Sequence, residues 1–513
     1  MSERHRASAR VQPVPAVEAQ TVETQTAETM RGLFGRDSLY MLLWGVQLGI
    51  AALSTPIVTR MLGVSQFGVV AATLAVVQVV AALGSFGLQS AIQRIFANDG
   101  GAIDSRRVVT VAIILSLGVF AVVDATGAYW CQAVGLGRYG PAMEYGVAWA
   151  ALWAITNAAL GLIRSHDKLV PFGIVTLLQS VVAEVLAVLM IVLVHRTASQ
   201  YVLGHLIGQT AAVSVALVVA RPKALRGRDL PMLAGALRYS AGLVPAALAT
   251  FVLDTSDRLI VRGDLGPAPV ARYAVAYNVA SLTMILLYVL NSVWMPRVFA
   301  LDNPKVRTPV LAASRDFLYA LLIPIVVGLC AASPMILAIW VPAGYRPGGL
   351  LPIVAIVAVT AFPYAGMMSS TRVLLFSGNT LAVGVSTVTA ALANVGLNVL
   401  LVPKLGVAGA SVATFCSYSL LFGLLVIRAR RISRLPRPSA ALVAKILGAV
   451  GICFGSTLLP TDATTTAIRG LVALGCVIAL VAMLTNILAP TRNALAGRVA
   501  AIFHSPDPAA SVV

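Results

Sequence analysis

The sequence predicts an all-α polytopic membrane protein of about fourteen transmembrane helices, arranged as two pseudo-symmetric six-helix lobes plus two C-terminal helices. Three observations support this prediction: the composition, the placement of the basic residues and an internal repeat. Of 513 residues, 59% are hydrophobic and only 11% are charged, and the mean hydropathy is +0.89. A soluble domain carries about 25% charged residues, so this chain cannot cover itself with a water-facing surface.

The elements follow in order along the chain. Residues 1–36 are polar, contain no apolar core of a signal peptide, and are predicted to be a disordered cytoplasmic tail. Apolar runs of about 20 residues, the length that crosses a bilayer, then follow one another at short intervals. The predicted spans are 38–59, 66–92, 108–129, 141–162, 169–194, 201–220, 239–257, 270–296, 316–340, 350–371, 380–402, 408–427, 440–459 and 470–489.

The basic residues indicate the orientation. The net charge of +18 is concentrated in alternate loops, with 27 Lys and Arg on one side and 9 on the other. Because basic loops stay in the cytoplasm, both termini are predicted to be cytoplasmic, and a nucleic-acid partner is not expected. The two densest loops divide the chain into 37–220, a first lobe; 221–238, a basic linker; 239–427, a second lobe; 428–439, a basic loop; 440–489, two additional spans; and 490–513, a cytoplasmic tail.

An internal repeat relates the two lobes. Leu62-Gly63 and Arg94 recur as Leu265-Gly266 and Arg297, each displaced by 203 residues. Six spans is an even number, so the lobes have the same orientation and are related by an axis along the membrane normal. Two such lobes around a cleft are typical of transporters in which access to a central site alternates between the two sides.

Four stretches carry a family resemblance. They are Thr59-Arg60-Met61-Leu62-Gly63 with Phe67-Gly68 and Gly84-Ser85-Phe86-Gly87-Leu88; Asp257-Arg258 with Leu265-Gly266 and Tyr273; Pro342-Ala343-Gly344-Tyr345; and Asn394-Val395-Gly396-Leu397-Asn398 with 403–410. On these stretches the chain resembles the polysaccharide transporter family of lipid-linked oligosaccharide flippases, within the multidrug/oligosaccharidyl-lipid/polysaccharide exporter superfamily. Ala271-Arg272 departs from the family pattern, in which a Gly usually precedes the Tyr.

The resemblance implies a protein of the bacterial plasma membrane that moves undecaprenyl-diphosphate-linked oligosaccharide repeat units to the outer leaflet, for export of a polysaccharide. It implies membrane lipids, a polysaccharide polymerase and glycosyltransferases as partners. It also implies alternating access coupled to a proton or sodium ion. No cofactor, metal or catalytic residue is expected, since the five cysteines are scattered and the outer loops are short.

Ionisable side chains inside spans are costly, which makes each a functional candidate. Glu184, beyond the midplane of the fifth span, is the first candidate for ion coupling, and a carboxyl hydrogen-bonded to a neighbouring helix is the alternative. Asp124 and Glu144 are further ion-coupling candidates or carboxylates at the interface. Asp254 either couples an ion or forms an ion pair with Arg258, four residues further on the same helical face.

The candidate substrate-binding residues are arginines, whose guanidinium groups suit phosphate oxygens, and two amides for sugar hydroxyls. The alternatives are positive-inside anchoring or contact with anionic lipids for Arg94, Arg297 and Arg372, and helix-to-helix hydrogen bonds for the amides. His205 is expected to reach toward the membrane interface. The candidates are Arg60, Arg94, Arg258, Arg262, Arg297, Arg372, Asn278 and Asn398.

Two other functions compete with a flippase. A cation-coupled drug antiporter of the same fold would have twelve spans and a smaller cavity lined by acids, so the last two spans favour the flippase. A sugar polymerase or ligase would need catalytic residues on a large outer loop, and no loop here is long enough. A scaffold without transport activity would not need two repeated lobes.

Overall fold

The computed structural model describes residues 38–98, 101–299, 304–433, 435–460 and 462–503. The tail predicted for 1–36 lies outside these residues. Within them the chain folds into α-helices joined by short turns, and no strand occurs. The prediction of an all-α polytopic membrane protein is confirmed.

The first lobe contains the helices up to the basic linker. They are α1 (Ser38–Ser85), α2 (Leu88–Asn98), α3 (Gly101–Ala125), α4 (Gly127–Ala133), α5 (Pro141–Ser165), α6 (Leu169–Leu177), α7 (Ala183–Leu193) and α8 (Ala198–Ala220). A single π-helical turn, Leu178–Val182, joins α6 to α7 in one continuous span.

The second lobe and the terminal pair follow a short 3₁₀ turn, Gly227–Asp229. The helices are α9 (Leu230–Leu265), α10 (Pro267–Phe299), α11 (Pro304–Trp340), α12 (Leu351–Val359), α13 (Ala361–Phe376), α14 (Thr380–Leu405), α15 (Val407–Ile432), α16 (Ala440–Leu458) and α17 (Ala463–Phe503). Thus α17 continues into the segment that the sequence predicts as a tail.

Thirteen described helical segments are long and apolar enough to cross a membrane. The first of them runs through Gly63, whose φ of 69° and ψ of 175° break α1 into two arms. Gly266, at the matching position of the repeat, has φ 89° and ψ −174°. Both glycines adopt a conformation that a side chain disfavours, so both Leu-Gly pairs reverse the chain between neighbouring helices.

The largest apolar core crosses between the lobes. It joins Val58 and Phe67 of α1 to Val270 and Tyr273 of α10, and it extends to α12. The terminal helices α16 and α17 pack against α11 and are the least buried of the spans. The site that follows lies within this contact between the lobes.

Candidate functional site

A cavity of about 280 Å³ lies between the two lobes. The first lobe contributes α1, α5, α7 and α8, and the second contributes α10 and α11. Ligand pockets usually measure about 300–1,000 Å³, so this volume is just below that range. The cavity is lined by Ser54, Thr55, Val58, Phe67, Val70, Leu74, Trp149, Glu184, Tyr201, His205, Asn278, Ser281, Leu282, Ile285 and Trp340.

Glu184 provides the carboxylate of this cavity. The hydroxyl of Tyr201 donates a hydrogen bond of 2.9 Å to its Oε1. The Nε2 atom of His205 lies 3.3 Å from its Oε2, and Ser54 is a further hydrogen-bonding neighbour. A buried carboxylate needs such partners, and a histidine among them can itself bind a proton.

Two local features bring Glu184 and His205 together. The π-helical turn Leu178–Val182 ends just before Glu184 and changes the rotation of α7 relative to α6. Gly204 and Gly208 flank His205, and a Cβ on either would overlap the backbone of α7. The spacing is that of the small-xxx-small motif, which lets membrane helices approach closely.

His205 corrects an expectation drawn from the sequence. It was predicted to reach toward the membrane interface, yet it is only 7% exposed. Its ring stacks on Trp149, with 4.6 Å between ring centroids and 5° between planes. The Gly204 and Gly208 pair was the sequence signal that could have placed His205 at a helix contact.

The second lobe buries two carboxylates, Asp254 and Asp257, in α9. The hydroxyl of Tyr418 donates to Asp254 and that of Tyr273 donates to Asp257. The backbone N–H of Arg258 donates to Asp257 at 2.7 Å. Both acids are therefore held by hydroxyl and backbone donors within their own lobe, and neither lines the central cavity.

Asp254 and Arg258 do not form the ion pair that their spacing suggests. No nitrogen of Arg258 lies within 4.0 Å of an Asp254 oxygen among the ion pairs of the described residues. The Arg258 guanidinium instead lies 5.0 Å from the ring centroid of Tyr277. The i, i+4 spacing placed the two side chains on one face, but the tyrosines offered closer partners.

The other candidate arginines are spread over the molecule. Arg60 donates to the carbonyl oxygen of Ile339 at 2.6 Å. Arg94 is exposed and lies 4.7 Å from the ring centroid of Tyr239. Arg262 lies in the last turn of α9.

Arg372 is fully buried, and its Nη2 donates to Asn291 Oδ1 at 2.7 Å. Arg297 lies in α10, but its side chain is outside the described part of the structure. In that part of the chain, none of the candidate arginines lines the central cavity.

The two candidate amides have different surroundings. Asn278 is exposed to the central cavity. Asn398 is buried in the second lobe, where its Nδ2 donates to the carbonyl oxygen of Asn394 at 2.9 Å. The structure therefore brings Asn278 together with Glu184 at the cavity, whereas the hydrogen bonds of Asn398 stay within α14.

Asp124 and Glu144 lie away from the cavity, on either side of the segment 126–140 that contains α4. The hydroxyl of Tyr139 donates to Asp124 at 2.7 Å. Burial, followed by the bond to Asp124, raises the pKa of Tyr139, so the phenol stays a hydrogen-bond donor. Glu144 is exposed in the first turn of α5.

Direct contacts close the cavity on the side of the Leu-Gly turns. Thr59 donates to the carbonyl oxygen of Trp340 at 2.8 Å, and the rings of Phe67 and Tyr345 meet edge to face. A Cβ at Gly68 would overlap the carbonyl oxygen of Pro267. The two lobes therefore touch backbone to backbone at this end, which the charge pattern predicts to be the outer one.

The family of polysaccharide biosynthesis proteins matches residues 57–345, more than half of the chain. The chain belongs to this family. No curated protein matches it in sequence. The matched segment includes all of α5 to α8, and so Glu184, Tyr201 and His205.

Several solved structures are similar in fold to this family member. The lipid II flippase MurJ in an inward closed conformation has a TM-score of 0.71 at 13% identity, covering 88% of this chain and 99% of that one. An inward-facing multidrug resistance MATE family transporter of the MOP superfamily has a TM-score of 0.56 at 13% identity, covering 82% and 98%. An outward-facing MATE structure has 0.55 at 14% identity, covering 82% and 96%. The polysaccharide biosynthesis protein described here therefore has the fold that these transporters share.

Proposed function

We propose that this protein is a flippase that moves polyprenyl-diphosphate-linked oligosaccharides from the inner to the outer leaflet of a bacterial plasma membrane. The observation that carries the proposal is the cavity between the lobes, lined by hydrogen-bonding groups and by Glu184. A sugar chain bearing a diphosphate cannot cross hydrocarbon unaided, and an inter-lobe cavity gives its polar groups partners. Membership of the polysaccharide biosynthesis protein family supports a substrate of this class.

Movement of the lobes follows from the size and closure of the cavity. At about 280 Å³ it is too small to enclose several sugars, and the contacts of Thr59 and Phe67 block the outer side. The lobes must therefore separate before an oligosaccharide can leave. In this scheme both termini are cytoplasmic, and Arg94, exposed at the inner end of α2, is placed to meet the diphosphate first.

Glu184 and His205 are our proposed coupling groups. Their side chains contact each other and both line the cavity. Protonation of the carboxylate would neutralise it, and protonation of the imidazole would turn the contact into an ion pair, so each event changes the charge that the first lobe presents to the cavity. A proton is the ion that this pair can take without further ligands. Asp254 is the second candidate, although it does not line the cavity.

The test is a strain that lacks this gene, assayed for extracellular polysaccharide and, by mass spectrometry, for polyprenyl-linked sugars. We expect the polymer to disappear and single repeat units to accumulate on lipid at the cytosolic leaflet. The wild-type gene should restore export, and the Glu144→Gln variant should restore it equally. Unchanged polymer and no accumulated lipid-linked sugar would contradict the proposal.

A cation-coupled drug antiporter is the second proposal, favoured by the small cavity in which an acid lies beside aromatic rings. Trp149, Tyr201 and Trp340 could hold an organic cation near Glu184 by cation–π contacts. The same strain separates the two proposals. Normal polymer with a new sensitivity to cationic drugs would favour the antiporter.

A further inference from the structure

A second cavity, of about 80 Å³, lies in the second lobe at the side of the basic loops. Helices α11, α13 and α15 form its walls, and the loop 433–439 covers it. We call it the inner pocket. It is lined by Arg315, Tyr319, Gly366, Ser369, Ser370, Phe422, Val426, Ala429, Arg430, Ser433, Leu435, Pro436, Arg437 and Pro438.

Arg315 builds the pocket by holding the loop in place. Its Nη1 donates to the carbonyl oxygen of Pro436 at 2.7 Å, and its Nε donates to Asp316 Oδ1 at 2.9 Å. Arg315 is only 8% exposed. The loop is therefore docked on the lobe by a buried charge, which gives the pocket a fixed shape.

Tyr319 points to a ligand. It is 6% exposed, it lines the pocket, and its hydroxyl makes no hydrogen bond to any other described residue. A Cβ at Gly366 would lie 2.5 Å from that hydroxyl, so the absence of a side chain at Gly366 leaves it room. The hydroxyl is therefore free to donate into the pocket, and an acceptor oxygen there would satisfy it.

The charge of the pocket favours an anion. Arg430 and Arg437 are exposed at its rim, and neither forms an ion pair among the described residues. With Arg315 they make three positive charges against the single acid Asp316. Planar guanidinium groups bind phosphate oxygens through paired hydrogen bonds, and a tyrosine hydroxyl can add another.

The position of the pocket at the end of α15 indicates which kind of phosphate it can meet. Arg430 lies in the last turn of α15, and Arg437 lies in the loop just beyond it. This is the level at which lipid headgroups meet the ends of membrane helices. We propose that the inner pocket binds the phosphate of an anionic phospholipid in the cytosolic leaflet, and so joins the second lobe to the loop that leads into α16.

The experiment measures lipid binding by the full-length protein in detergent. Phosphatidylglycerol, phosphatidylcholine and inorganic phosphate are added separately, and native mass spectrometry and the thermal midpoint are recorded. We expect only phosphatidylglycerol to bind and to raise the midpoint, since a ligand of the native state stabilises it. An equal response to phosphatidylcholine, or the same rise with inorganic phosphate, would overturn the assignment to an anionic lipid.

Variants locate the site. Arg430→Gln with Arg437→Gln should weaken phosphatidylglycerol binding at least about tenfold, because two charge-assisted contacts are lost. Tyr319→Phe keeps the ring and should weaken binding about fivefold. Arg221→Gln with Lys223→Gln removes the same charge from the other basic loop and should leave affinity within about twofold of the wild type. If the control pair loses as much as the pocket pair, or if Tyr319→Phe binds like the wild type, the pocket is not the site.

These outcomes are separate from the transport assay. Lipid binding to the purified protein does not require a lipid-linked sugar. The proposal of a lipid site in the inner pocket can therefore be wrong while the flippase proposal is right, and the flippase proposal can be wrong while the lipid site is right.

Discussion

The buried carboxylates of the two lobes have different surroundings. In the first lobe, Glu184 lines the space between the lobes and contacts His205, a side chain that can itself take a proton. In the second lobe, Asp254 and Asp257 lie inside the lobe, bonded to tyrosine hydroxyls. The sequence repeat relates the lobes, but it does not extend to the chemistry of their acids.

The difference separates two uses of a buried charge. A carboxylate on a surface that opens and closes meets water in one state and protein in the other, so its protonation can follow the movement. A carboxylate held within one rigid lobe keeps the same neighbours throughout, and its hydrogen bonds stabilise that lobe. We therefore expect substitution of Glu184 to change transport and substitution of Asp257 to change stability.

The largest effect is expected from Glu184→Gln. The amide keeps the shape but cannot bind and release a proton, so polymer export should fall at least about tenfold, to the level of the null strain. Complementation of that strain at matched protein level measures it. Glu144→Gln removes an equivalent charge from an exposed position and should retain full export. Full export by Glu184→Gln would contradict a role of Glu184 in transport.

Asp257→Asn should act on stability. The Tyr273 hydroxyl and the backbone N–H of Arg258 donate hydrogen bonds to the charged carboxylate of Asp257. Removing that charge should lower the free energy of unfolding by about 1.5–3 kcal/mol and leave export per folded molecule nearly unchanged. The thermal midpoint of the purified protein is the measurement. Asp264→Asn, exposed on the same helix, is the control and should leave the midpoint unchanged. A stable but inactive Asp257→Asn variant would assign coupling to the second lobe instead.

Gly68→Ala tests the outer contact between the lobes. The added methyl overlaps the backbone of Pro267, and overpacking of this kind costs about 1–3 kcal/mol. The closed state should therefore lose population. A cysteine at Ser281, in a background lacking Cys416, should then react faster with an impermeant maleimide added from outside.

Gly118→Ala is the matched control, because its added Cβ meets nothing within 4 Å. Equal labelling rates in the two alanine variants would show that the contact at Gly68 does not keep the outer side closed.

The smallest effect is expected at the inner side, from Tyr239→Leu. The ring carries the cation–π contact of Arg94 between α2 and α9, worth about 0.5–1 kcal/mol at an exposed site. Its loss should raise labelling of the Ser281→Cys variant from the inside about two- to fivefold. Tyr239→Phe keeps the ring and should behave as the wild type. If Tyr239→Phe raises the labelling rate as much as Tyr239→Leu does, the hydroxyl and not the ring holds the two helices together.

The membrane class, the spans and the turns were predictable from the sequence, because each span satisfies its own backbone and needs only local apolar length. The structure places helices close to the predicted ranges; for instance, the span predicted at 380–402 is the helix Thr380–Leu405. The largest differences are at helix ends. The seventh span, predicted at 239–257, is the helix Leu230–Leu265, which continues on both sides of the predicted range.

The candidate site was predicted only in part. Glu184 and Asn278 could be singled out as polar residues within apolar spans, and both line the cavity. The partners of Glu184 were missed. His205 looked like an interfacial residue because its place in the span gave no information on which helix it faces.

The sequence by itself determined that this chain lies in a membrane, roughly where its spans lie along the chain, and that Leu62-Gly63 and Leu265-Gly266 are equivalent positions of a repeat. Only the tertiary structure decided that Glu184 meets His205, that Asp254 meets Tyr418 rather than Arg258, and that the candidate arginines lie away from the central cavity. The physical reason is that hydropathy and turns depend on neighbours along the chain. The rotation of one helix against another depends on small residues and a π-helical turn in helices brought together only by folding.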